Sequence, residues 1–127
     1  MKKDIENRDD IYLLVKTFYV KLMNDDVMCH FFEDFKNPIH LESHLQTLVD
    51  FWDNILFYSG GYRKNAMQPH LDLHKKKPFK TIHFNHWLSS FNSAVDELYN
   101  GDIAHAAKSR ALSIATVMKI KISELKT

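Results

Sequence analysis

The stretch HLQTLVDFWDNILFYSGGYRKNAMQPHLDL, residues 44–73, decides how the chain is read. Its first half is a helical run with His44 on the edge of an apolar face. Gly60-Gly61 then makes a turn, and the stretch closes on a short apolar segment carrying His70. Two histidines thus bracket a loop in a chain rich in Phe, Tyr and Trp. That arrangement suits a flat, apolar, iron-carrying ligand held between two elements, with an imidazole available to each face. A helical bundle with incidental histidines fits the same residues, so the remaining sequence must discriminate.

Apolar residues in the stretch recur at helical spacing. Leu45, Leu48, Val49, Trp52, Ile55 and Leu56 form one stripe, and His44, Leu48, Phe51 and Ile55 share the side beside it. Upstream, Asn37-Pro38 breaks the chain, because the residue before proline is biased away from the α region. This helix is therefore expected to start near Glu42, with glycine ending it after Tyr58. The first helix is expected from an Asn7 or Asp9 cap to about Met23, burying Ile11, Leu14, Val15, Phe18, Tyr19 and Leu22. Between the two, VMCHFFEDF (27–35) reads as either a short helix or an extended corner, with three phenylalanines in five positions.

Downstream, Pro69 opens a short turn bearing His70, and Pro78 opens a third long helix from Phe79 to about Tyr99. Its apolar face is Phe79, Ile82, Phe84, Trp87, Phe91, Val95 and Leu98. Gly101 follows it, and Asp102 is the expected cap of a last helix to about Leu125. Nothing alternates with strand period, so the fold is expected to be all-α, a single domain over residues 1–127.

Bulk properties narrow the function. The 17 basic and 16 acidic residues nearly cancel, leaving +1, which provides no footprint for nucleic acid or an anionic membrane. No apolar run reaches the ~20 residues of a membrane span. One cysteine excludes an intramolecular disulfide, and MKKDIENRDD lacks the apolar core of a secretory signal. The expectation is a soluble cytoplasmic protein.

Eight histidines is a high number. The pairs His40/His44 and His70/His74 have two-ligand spacing on a helix, yet HLESH puts its glutamate one place too late for the zinc-protease pattern. Repeated di-iron carboxylates are missing too. His83, His86 and His105 lie among polar neighbours and read as solvated. Cys29 reads as a small packed hydrophobe more than as a thiolate ligand. His70, flanked by Met67, Leu71 and Leu73, suits a single neutral imidazole on iron.

From about Ile5 to Met118 the chain resembles the truncated haemoglobins, and within them group III. The resemblance rests on LVKTFY, the Phe-Phe corner, HLQTLVDFW, Tyr62…Met67…His70-Leu71, HFNHWLSSF, and AVDELYNG followed by AKSRALSIATVM. It implies a globin-like, truncated two-over-two helical sandwich binding haem b through His70. Phe32 would pack on the haem, Tyr19 and Trp87 would stand on the distal side, and His44 would be the distal-helix histidine with Leu48 and Phe51 beside it. Cys29-His30 departs from the usual Gly-Pro, and Pro69 directly precedes the proximal histidine. The implied ligands are O2, NO and CO.

Dioxygen bound to haem iron carries partial negative charge, and hydrogen bonds to charged groups contribute ~1.5–3 kcal/mol each. Two donors at Tyr19 and Trp87 would slow ligand release by on the order of 10²–10⁴-fold. Such retention suits ligand chemistry, either nitric oxide or peroxide detoxification, or sensing, better than oxygen storage. Turnover as an enzyme would need a reductase partner, which the sequence does not identify. The rival from another class is a non-haem helical metal-binding or protein-interaction module.

Overall fold

Helical periodicity without strand alternation should give packed helices, and it does. The computed structural model describes residues 2–58 and 79–125. Within them four α-helices and one 3-10 segment follow in order: α1 (Arg8–Met23), the 3-10 segment (Cys29–Lys36), α2 (Pro38–Phe57), α3 (Thr81–Leu98) and α4 (Asp102–Leu125). The Gly60-Gly61 turn, the segment Pro69–Leu73 with His70, the run Lys75–Lys77 and Pro78 lie outside the described residues.

Helix α1 packs on both α2 and α3, while α4 packs on α3 and α2. The four helices therefore pack pairwise around a closed ring, as a two-over-two sandwich does. Phe91, fully buried, is its hub. Its ring stacks on Trp52 of α2 at 4.9 Å and meets Phe18 of α1 edge-on at 5.2 Å. Helix α4 approaches closely because Ala104, Ala107, Ala111 and Ala115 are its buried positions, with Met118 and Ile122 filling its far end.

The helix ends show where local signals mislead. Asn7 caps α1 as expected, its side chain accepting from the Asp10 N–H. Helix α2 starts not near Glu42 but at Pro38: Asn37 accepts from the Ile39 and His40 N–H groups, and proline occupies the first turn. Proline tolerates that position because its missing N–H would be unpaired there anyway. The C-cap of α2 is Tyr58 itself, in left-handed conformation at φ 57°. The 27–35 corner resolves to 3-10 geometry with a kink at Phe32. Ile82, expected on the apolar face of α3, is about half exposed.

The cap of α4 comes from the other end of the chain. Asp4 Oδ2 accepts from the Ile103 N–H at 2.9 Å, and Oδ1 from the Ala104 N–H at 2.8 Å. Partial burial pushes its carboxyl pKa up, but these two N–H groups and that of Ile5 outweigh it and hold the carboxyl below the usual range. Gly101 sits against Asp4 at φ +151°, where a Cβ would collide with the carboxylate carbon. That glycine is needed for this approach; α3 has already ended at Leu98.

Candidate functional site

The site is built where α1, the 3-10 segment and α2 meet. Tyr19 lies on the buried face of α1, and His44 on the half-buried stripe of α2 with Leu48, Phe51 and Ile55. The Tyr19 hydroxyl and His44 Nε2 are 2.8 Å apart. Burial pushes the phenol pKa up, so Tyr19 keeps its proton. If Nε2 carries a proton, His44 donates to the tyrosine oxygen and the Tyr19 O–H stays available to a ligand. In the other tautomer Tyr19 donates to His44.

Aromatic rings wall this pair. Phe32 meets Tyr19 edge-on at 5.3 Å, and Phe35 stacks on His44 at 4.6 Å. Phe32 and Phe35 stack on each other at 6.1 Å and 27°, as the near-eclipse of positions i and i+3 in a 3-10 turn favours. The neighbouring Phe31 turns the other way, to Phe79 and His83.

Trp87 approaches from α3. Phe18 joins it to Tyr19, meeting Trp87 edge-on at 5.6 Å and Tyr19 at 5.5 Å. No described residue accepts from the Trp87 indole N–H. Trp87 also lines a cleft between α3 and α4 whose walls include Met28, Phe84, Ile114 and Met118. The polar residue in that lining is His83, which is buried and not solvated as its neighbours in sequence imply. The Lys80 N–H donates to its Nδ1 at 2.8 Å, so the neutral ring carries its proton on Nε2, for which no described residue is an acceptor. Burial first, then the charges of His30, Lys80 and His86, hold its pKa below the ordinary value.

The structure thus brings Tyr19, Phe32 and His44 into contact, sets Leu48 and Phe51 along the same side of α2, and places Trp87 one ring away. His70 lies outside the described residues. The pair His40/His44 does not converge on a common point: His40 is exposed and bonded to Asp34, while His44 turns to Tyr19. His86 is half-buried with Nδ1 2.8 Å from Asp25, and His105 is exposed. Cys29 is exposed rather than packed, its sulfur directed at the Asp26 carbonyl. The contacts of Phe35 and the burial of His83 escaped the sequence reading. The i, i+3 spacing of Phe32 and Phe35 was the one available signal, and it depends on knowing the segment is 3-10.

A family model described as bacterial-like globin matches residues 4–122. The chain is a bacterial-like globin. This globin is 28% identical over 118 residues to the group 3 truncated hemoglobin ctb of Campylobacter jejuni, covering 91% of each chain. It is also similar to the crystal structure of the group III truncated hemoglobin from Campylobacter jejuni, with a TM-score of 0.86 and 26% identity. That match covers 96% of this chain and 95% of that one. The helical ring and the group III resemblance read from the sequence therefore agree.

Proposed function

We propose that this globin is a single-domain cytoplasmic haem protein holding one haem b through His70 and binding O2, NO and CO on the side of Tyr19, His44 and Trp87. The observation that carries the reading is the hydrogen-bonded Tyr19–His44 pair, enclosed by Phe32 and Phe35, with the Trp87 N–H, for which no described residue is an acceptor, nearby. The donor set fits such a group: neutral donors set among aromatic rings, with Trp87 also lining a cleft of mainly apolar walls. Bound haem supplies iron that coordinates a diatomic ligand reversibly.

This chain's own residues do the rest. Tyr19, protonated by virtue of its burial, offers an O–H to a ligand that gains negative charge. Trp87 offers a second N–H. His44 orients the tyrosine oxygen, the rings of Phe32 and Phe35 keep water off the polar pair, and Leu48 and Phe51 line the same side of α2. Donors in a dry pocket hold a charged ligand more strongly than they would in water, so the reading favours nitric oxide or peroxide chemistry, or sensing, over storage. Reaction turnover would draw electrons from a separate reductase.

Absorption spectra of the protein expressed with haem precursor, oxidised, reduced and then under carbon monoxide, test this. The expected result is a Soret band that shifts with carbon monoxide and is lost or altered in His70→Ala. A protein that stays colourless on haem titration refutes it and leaves the interaction-module alternative.

A further inference from the structure

Helix α3 opens on Lys80, whose side chain makes no cap of its own. The Lys80 N–H donates instead to Nδ1 of His83, three residues on, at 2.8 Å. Reaching back to the capping N–H is the task that glutamate or glutamine performs at this position in a capping box. An imidazole differs from them in one respect. On taking a proton, Nδ1 becomes a donor and can no longer accept.

The surroundings oppose that proton. His83 is buried, with the His30 ring of the corner at 5.5 Å and Phe31 edge-on at 4.9 Å. The charges that bear on it are those of His30, Lys80 and His86, and the Asp25 carboxylate is engaged by His86. Helix α4 presents Ile114, Ala115 and Met118 to the same cleft, and its Lys119 ammonium lies over the Phe84 ring at 5.9 Å. The two ends of α3 differ in anchorage. Phe91, Ala94 and Val95 are fully buried and fix its second half. The first turn is held by the His83 cap and by Phe84, which walls the cleft with Phe79 and Trp87. Loss of the cap therefore opens the turn locally, before the helix as a whole gives way.

We propose that His83 is an acid-released cap: in mild acid the imidazole takes a proton and drops the Lys80 N–H, and the first turn of α3 opens away from the cleft that Trp87 lines. At neutral pH the cap is intact. The folded pKa lies below the ordinary 6.5, so the opened turn binds the proton more readily, and opening gains as pH falls through and below that value. The device works whatever the cleft holds and does not rest on the haem reading above.

Hydrogen exchange of residues 79–86 in the full chain, read by mass spectrometry at about pH 7.5 and 5.5 with exchange times scaled to the intrinsic rate, tests it. In the parent, protection of this segment falls about 5-fold at the lower pH, the factor that a cap of ~1 kcal/mol corresponds to. That lies within the roughly 10-fold that one pH unit below 6.5 can supply. His83→Gln keeps an acceptor for the Lys80 N–H and takes up no proton, so its protection is the same at both pH values. His83→Phe has no acceptor and is poorly protected at both. Residues 91–98 keep their protection throughout, which separates local opening from acid unfolding of the whole chain. A parent segment equally protected at both pH values overturns the proposal. So does a His83→Gln segment that loses protection as the parent does, which would assign the effect to His30 or His86. Should His83→Phe fail to fold, the comparison of parent with His83→Gln decides alone.

Discussion

Replacing Tyr19 by phenylalanine removes one oxygen and leaves the ring, which is 7% exposed and packed edge-on against Phe18 and Phe32. The apolar packing therefore survives, and the change isolates the hydroxyl. A donor to a charged ligand contributes ~1.5–3 kcal/mol, whereas a neutral pair such as Tyr19–His44 contributes ~0.5–1.5 kcal/mol. Where the hydroxyl must exchange the second contact for the first, the net retention is roughly 1–1.5 kcal/mol, about tenfold in rate. The expected outcome for Tyr19→Phe is thus an oxygen dissociation rate raised about tenfold. It is measured by displacing bound oxygen with carbon monoxide in a stopped-flow instrument. The parallel variant His44→Leu distinguishes the tautomers. If Tyr19 donates to His44 in the resting protein, freeing it slows dissociation; if His44 donates to Tyr19, its loss speeds dissociation. A dissociation rate in Tyr19→Phe equal to that of the parent would refute the assignment of this hydroxyl as a ligand donor.

Two further outcomes follow from the fold. Asp4→Ala deprives the start of α4 of both its acceptors and is expected to cost about 1–2 kcal/mol, on the order of 5 °C in the thermal midpoint by circular dichroism; an unshifted midpoint would mean water replaces the carboxylate at no cost. His83 has its folded pKa held below the ordinary 6.5, so in the acidic range the unfolded chain binds more protons at this site, and stability falls as pH drops through and below 6.5. In His83→Phe that part of the loss disappears, and the difference in urea midpoint between neutral and mildly acidic pH narrows; a difference as large as the parent's would place the acid sensitivity elsewhere.

By itself the sequence determined the helices and the family to which they belong. Apolar spacing in Ile11–Leu22 and Leu45–Leu56 specifies which side of each helix is buried, because a 3.6-residue period leaves one stripe facing inward. The order LVKTFY, Phe-Phe, HLQTLVDFW and HFNHWLSSF was enough to nominate Tyr19, Phe32, His44 and Trp87. Only the tertiary structure decided which partner each residue meets. Pro38 reads equally as a break and as a first turn until Asn37 is seen accepting from the N–H groups beyond it. Asp102 carried the local cap signature, yet the carboxylate at Ile103 and Ala104 is that of Asp4, some hundred positions away. His83 has polar neighbours in sequence, but the rings of Phe31 and His30 in the corner pack against it. Phe35 was one of three interchangeable rings until the 3-10 turn aligned it with Phe32 and set it on His44. Periodicity reports the direction a side chain leaves its own backbone. What stands opposite depends on contacts between distant segments, and those exist only once the chain has packed.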